Sequence, residues 1–181
     1  MRWRAARNEL KCGFINSGPR TSLFEIRRGL LAVMLTREGT TMAEKENTQV
    51  VKDAYAAFQR GDVAAIVNSC DENVEWHGVI GTEGVLPQSG RRRGRAEVAE
   101  FFKQVAETTD FTSFEPKEFV AQADKVVALG SYSARLKPSG QTYASDWVMV
   151  FTVRNGKVTG FQEFSDSAQL VRAYKGLAAG V

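Results

Sequence analysis

The chain has 181 residues, 43% of them hydrophobic and 25% charged, with a net charge of +3, a balance that suits one buried core and excludes a chain too polar to fold. No apolar run approaches the roughly 20 residues of a membrane span, because Glu25, Arg27 and Arg28 interrupt the 23–35 stretch. His77 is the single histidine and Cys12 and Cys70 are the two cysteines, too few for a zinc or copper site or a disulfide framework, so a cytoplasmic protein without metal or organic cofactor is expected.

The charge divides unevenly. Residues 1–41 hold eight Lys/Arg against three Glu, a balance of +5, which leaves −2 for the remainder. A nucleic-acid binder carries its basic excess on the folded domain, so no nucleic-acid partner is expected. Gly13, Gly18-Pro19 and Gly39 break up the first 41 residues, which read as an extension, either disordered or the product of an upstream start codon. A targeting segment is the alternative, and Glu9, Glu25 and Glu38 count against it. The domain is expected over 42–181.

Val50, Val51, Ala54, Tyr55 and Phe58 recur at helical spacing before Gly61, which predicts a helix over 45–60. Asp62 caps a short second helix through Asn68. Val74 to His77 reads as a strand, and Gly78, Gly81, Gly84, Pro87 and Gly90 mark a loop. Arg91-Arg92-Arg93-Gly94-Arg95 lacks the interleaved aromatics of a nucleic-acid surface and is read as a solvated run before a third helix. That helix covers 95–106, with Val98, Phe101, Phe102 and Val105 on one side.

Four strand-like runs follow, over 113–122, 125–137, 141–154 and 157–165, and Asn155-Gly156 is a two-residue hairpin turn. A closing helix is expected over 167–174 behind Asp166 as its N-cap. The order predicts an α+β fold, a curved antiparallel sheet wrapped on three or four helices to form a cone with an internal pocket.

Counted outward from Asn155-Gly156, Val148 faces Glu163 and Trp147 faces Phe164. One sheet face then carries Asp146, Val148, Val150 and Thr152 beside Phe161 and Glu163. Two carboxylates amid apolar groups suit general-base chemistry if this face is concave, and are merely solvated if it is not. The other face carries Trp147, Met149, Phe151 and Phe164, an apolar surface for the helices or for a second subunit.

The segments VVKDAYAAFQRGDVAAIV (50–67), ENVEWHG (72–78), RGRAEVAEFFKQV (93–105) and VMVFTVRNGKVTGFQEFSD (148–166) resemble the SnoaL-like, ketosteroid-isomerase-related proteins of the nuclear transport factor 2-like superfamily. The resemblance spans about 45–175. It implies helices against the concave side of the sheet, a pocket between them, a small apolar ligand and a dimer through the convex side, here expected through Trp147, Met149, Phe151 and Phe164. The tyrosine, base and protonated aspartate of ketosteroid isomerase fall on Ala54, Trp76 and Val148, so that catalytic set is not intact. A shift of one residue instead sets His77 at the base position. Limonene epoxide hydrolase is similar at Trp76-His77-Gly78 and at 161–166, where its catalytic Asp falls on Glu163, while its Arg and second Asp fall on Ser131 and Ser133.

The resemblance thus implies an isomerase- or hydrolase-type acid/base enzyme with Glu163 as base, Asp146 tuning it and His77 as a further candidate. The pocket is expected to be walled by Trp76, Tyr55, Phe58, Ser131, Ser133, Val148 and Phe161, with Trp76 N–H or a Ser131 or Ser133 hydroxyl as oxyanion donor. The alternative is a non-catalytic binding protein for an apolar metabolite.

Overall fold

The computed structural model describes residues 42–177; the expectations for 1–41 lie outside them. Helix α1 covers 42–59, with Val51 and Tyr55 buried on one stripe and Ala57 buried on another side of the helix, the first as the spacing of its apolar residues dictates. Gly61, at φ 70°, ends that segment. The Asp62 carboxylate accepts the Ala65 N–H at 3.0 Å and starts α2 (Val63–Ser69). Strand β1 (Cys70–Val79) is longer than the expected four residues. After the 80–90 loop the arginine run forms a short strand, β2 (Arg91–Arg93), paired antiparallel with β1. Strand geometry had no signal there, because three arginines carry no alternation.

Helix α3 (Gly94–Thr108) buries Val98, Phe101 and Phe102. Strands β3 (Thr109–Gln122), β4 (Lys125–Leu136), β5 (Thr142–Arg154) and β6 (Lys157–Ser165) form an antiparallel meander. Helix α4 (Ser167–Tyr174) closes the described chain, capped by Asp166, whose carboxylate accepts the Gln169 N–H at 2.9 Å. The sheet order is β2-β1-β6-β5-β4-β3, with β1 parallel to β6. Over the described residues it is a curled, unclosed six-stranded mixed sheet with four helices, an α+β cone. None of the described helices is long and apolar enough to cross a membrane.

One register decides which residues face inward. At the turn the pairing is as counted, Arg154 with Lys157 and Val153 with Val158, but Thr152 then pairs with Gly160, leaving Thr159 as an extra residue. This β-bulge shifts every later pair by one, and a one-residue slip moves side chains to the opposite face. Phe151 therefore faces Phe161, and Met149 faces Glu163.

The expected faces are corrected accordingly. Trp147, Met149 and Phe151 are buried inside the cone at 2%, 6% and 4% exposure, so they are not a subunit contact surface. Phe164 alone of that set lies outside, 43% exposed. Asp146 is exposed on the outer face, paired with Ser131 rather than beside Glu163. Val148, Ser131 and Ser133 are half-buried on that same outer face. The inner positions of β4 are Val126, Ala128, Tyr132, Ala134 and Leu136.

Candidate active site

The inner sheet face and the helices line a cavity of about 110 Å³ that is partly open to the surface. An apolar hole of roughly 150 Å³ holds benzene, so the space is of the order of one six-membered ring. The bulge places Phe161 and Glu163 on its wall from β6, Met149 and Phe151 from β5, and Tyr132 and Ala134 from β4. Tyr55 and Phe58 reach it from α1, Phe101 and Phe102 from α3, and Trp76 from β1. The 80–90 loop contributes Thr82, Leu86 and Gln88, folded by the Thr82 hydroxyl donating to Val79 C=O at 2.7 Å and by Leu86 N–H donating to Thr82 C=O at 3.3 Å.

Glu163 is the cavity's carboxylate, 8% exposed. The apolar wall takes it out of water, which penalises the charged form, and this pushes its carboxyl from an ordinary 4.5 up to about 7. The Tyr132 hydroxyl donates to Glu163 Oε1 at 3.3 Å and pulls the other way. Burial, reinforced by the Glu163 charge, pushes the Tyr132 phenol far above its ordinary value. Tyr132 is thus a neutral donor at any physiological pH.

Behind it, Tyr132 Oη lies 3.2 Å from Ser165 Oγ, and the Tyr143 hydroxyl donates to Asp166 C=O at 3.0 Å while lying 3.4 Å from the same Ser165 Oγ. Tyr143 has one proton, and the Asp166 carbonyl takes it. The Ser165 hydroxyl is then free to donate to Tyr132, whose own proton goes to Glu163. Tyr55 is turned elsewhere, donating to Met149 Sδ at 3.1 Å.

The other candidates fall as follows. His77 points away from the cavity, Nε2 lying 2.9 Å from Glu83 Oε1, and its Nδ1 has no hydrogen-bond partner. Asp146, Ser131, Ser133 and Val148 are absent from the wall. Of the expected oxyanion donors only Trp76 lines the cavity, and its buried Nε1 has no hydrogen-bond partner, as is also true of Trp147 Nε1. A buried donor left unpaired costs about 1–3 kcal/mol. Among the described residues no group of three or more His, Cys, Asp or Glu is placed to hold a metal ion. The Cys70 thiol, pushed up to about 11 chiefly by burial, is no nucleophile at neutral pH.

Tyr132, Tyr143 and Ser165 were missed by sequence reasoning. The signal lay in β4, where Ser131, Ser133 and Arg135 alternate with Tyr132, Ala134 and Leu136, so that the polar set marks the outer face.

A family model described as the SnoaL-like domain matches residues 51–161. An NTF2-like protein from Burkholderia xenovorans LB400 is 37% identical, with 72% of this chain and 97% of that one covered and a TM-score of 0.65. TerC, co-crystallised with polyporic acid, is 25% identical over 72% of this chain and 98% of its own, with a TM-score of 0.60. A putative isomerase from Rhodopseudomonas palustris shares the fold at 20% identity, covering 70% and 93%, with a TM-score of 0.59. No curated protein matches the chain.

Proposed function

The chain belongs to the SnoaL-like family of NTF2-like proteins, a small-molecule enzyme family, and on that premise we propose that it is an acid/base enzyme of isomerase or hydrolase type with Glu163 as base. The observation that carries this reading is one carboxylate held near pH 7 in an apolar cavity. A base titrating near the working pH combines a useful ionised fraction with the strongest drive to take a proton.

In the isomerase case the Glu163 carboxylate takes a proton from a C–H next to a carbonyl, the C–H electron pair moves into an enolate, and the proton returns at a second carbon. In the hydrolase case the proton comes from the attacking water and passes to the leaving oxygen. Tyr132 holds the carboxylate in both, and its hydrogen bond keeps the acid from becoming too weak to return its proton. TerC's crystallisation with polyporic acid supports a small organic ligand for such a cavity.

Native mass spectrometry of the protein from its host identifies the retained ligand, and turnover of that compound is then measured. Glu163→Gln is expected to lose about 100-fold or more in kcat. Full turnover in that variant rejects Glu163 as base, and a retained ligand with no altered product favours the alternative, a binding protein.

The outer sheet face offers Val127, Leu129, Val148, Val150 and Phe164 on neighbouring strands. A second copy of this chain is the proposed partner there, in place of the buried Trp147, Met149 and Phe151. Sedimentation of the full chain as a monomer at micromolar concentration contradicts it.

A further inference from the structure

We propose that a groove on the outer face of the sheet, above Gly160, binds a small molecule carrying an oxyanion at each end, a dicarboxylate or a diphosphate. The site is separate from the cavity's carboxylate and does not depend on Glu163. It begins with the arginine run. Side chains alternate along β2, and Arg92 turns to the half-buried side, where it donates to Pro87 C=O at 2.9 Å and to Gln104 Oε1 at 2.8 Å. Arg91 and Arg93 point the other way and are exposed. Neither guanidinium has a hydrogen bond or an ion pair among the described residues.

The strand pairing carries these cations across the sheet. Arg93 pairs with Glu75, Glu75 with Gly160, Gly160 with Thr152, and Thr152 with Lys125. Gly160 has no side chain, and a Cβ there would lie 3.1 Å from Thr152 Oγ1, so the missing side chain leaves a hollow on this face. A groove of about 400 Å³ results, with Arg91 and Arg93 at one end and Lys125 at the other. The Lys125 ammonium donates to Thr152 Oγ1, which sets its charge over β5. The backbones of β2 and β5 are three strand spacings apart, roughly 14 Å. One oxyanion therefore meets one end only, and a molecule with two meets both.

The charges define the class. Besides Arg92, the lining holds Arg91, Arg93 and Lys125 against the carboxylates of Glu75 and Glu97, and Glu97 Oε2 accepts the Arg93 backbone N–H at 2.7 Å. A guanidinium takes a carboxylate or a phosphate through two parallel N–H donors. Glu75 is exposed between the two ends and opposes any anion there. The apolar patch offered to a second copy shares only Val150 with this lining, so the two surfaces adjoin.

The test titrates the full chain with adipate, with its one-carboxylate counterpart hexanoate, and with inorganic pyrophosphate, at constant ionic strength set by chloride. The Nε–H resonances of Arg91 and Arg93 and the Gly160 amide are read in ¹H–¹⁵N spectra. Saturable shifts are expected with at least one dianion, and hexanoate is expected to bind about tenfold more weakly than adipate. Arg91→Gln combined with Arg93→Gln should weaken the dianion about tenfold, about threefold for each exposed pair. Glu75→Gln should tighten it about threefold, a gain that damaged folding does not produce.

A response to adipate alone assigns carboxylates and a response to pyrophosphate alone assigns phosphates; either upholds the groove. Shifts that do not saturate with either dianion, or hexanoate binding as tightly as adipate, overturn the two-ended site. Dianion binding unmoved by the arginine pair, or weakened by Glu75→Gln, overturns its location. Glu163→Gln should leave dianion binding within about twofold, so failure of the groove and failure of the base show separately.

Discussion

Tyr132 Oη stands 3.3 Å from Glu163 Oε1, joining β4 to β6 across the intervening β5 and fixing the one carboxylate of the cavity wall. The phenol approaches from Tyr132, paired with Ser145, while Glu163 is paired with Met149, four residues along β5. The long tyrosine side chain therefore leans along the strands to reach its partner. Hydrogen bonding and burial oppose each other at this carboxylate, and burial wins.

That victory makes stability depend on pH. The Glu163 carboxyl titrates at about 7 when folded and at an ordinary 4.5 when unfolded, so between these values the folded state binds more protons. Stability is therefore fully present below 4.5 and falls as pH rises through 7, by about 3 kcal/mol in all. Urea denaturation of wild type and Glu163→Gln at pH 4.5 and pH 8 checks this. The glutamine variant is expected to gain relative stability at the higher pH, and a constant difference between the two proteins contradicts it.

Tyr132→Phe removes the hydrogen bond that lowers the Glu163 value. The carboxyl should then titrate above 7, and the protein should lose about 1 kcal/mol at neutral pH. Carboxyl ¹³C chemical shifts followed through a pH titration read the midpoint directly. A midpoint that falls or stays where it was shows that Tyr132 does not hold the ionised form.

Much of this site could be read from the sequence, and the part that could not has one physical cause. The α1 stripe of Val51, Tyr55 and Phe58 depends only on local helical spacing, and the Asn155-Gly156 turn, with φ of 51° and 70°, depends only on local backbone freedom. The face occupied by Glu163 depends instead on counting along a strand, and Thr159 breaks the count. Gly160, inside a strand, is the residue type that accompanies such bulges. Below it, Asp146 parts from Glu163 and Trp147 turns inward, so the expected carboxylate pair and the expected subunit surface fail together.

Gly130 allows Trp147 to lie flat against the sheet. A Cβ there would fall inside contact distance of both Trp147 Cζ2 and the Glu115 carbonyl oxygen, the latter rigid backbone. Gly130→Ala is expected to cost about 3 kcal/mol, the upper range for overpacking. At Gly160 the added atom would lie 3.1 Å from Thr152 Oγ1, a side chain able to turn, and Gly160→Ala should cost about 1 kcal/mol. Equal urea midpoints for the two variants contradict the packing argument.

The outward placement of His77 leads to a local effect rather than a catalytic one. Glu83 Oε1 lies 2.9 Å from His77 Nε2 while Glu83 Oε2 accepts the Gly81 N–H at 2.9 Å, tying the 80–90 loop to β1. Hydrogen bonds from its own backbone N–H and from His77 hold the Glu83 carboxyl below its ordinary 4.5. The tie is present above that pH and is lost as pH falls through the lowered value. Glu83→Gln should speed amide exchange at Val85, Leu86 and Ser89, whose N–H groups close the loop's own turns, while leaving Val126 in the core unchanged. His77→Gln should keep turnover of the identified ligand within about twofold, since the ring does not line the cavity. Loss of 100-fold or more in that variant would return His77 to the acid/base chemistry.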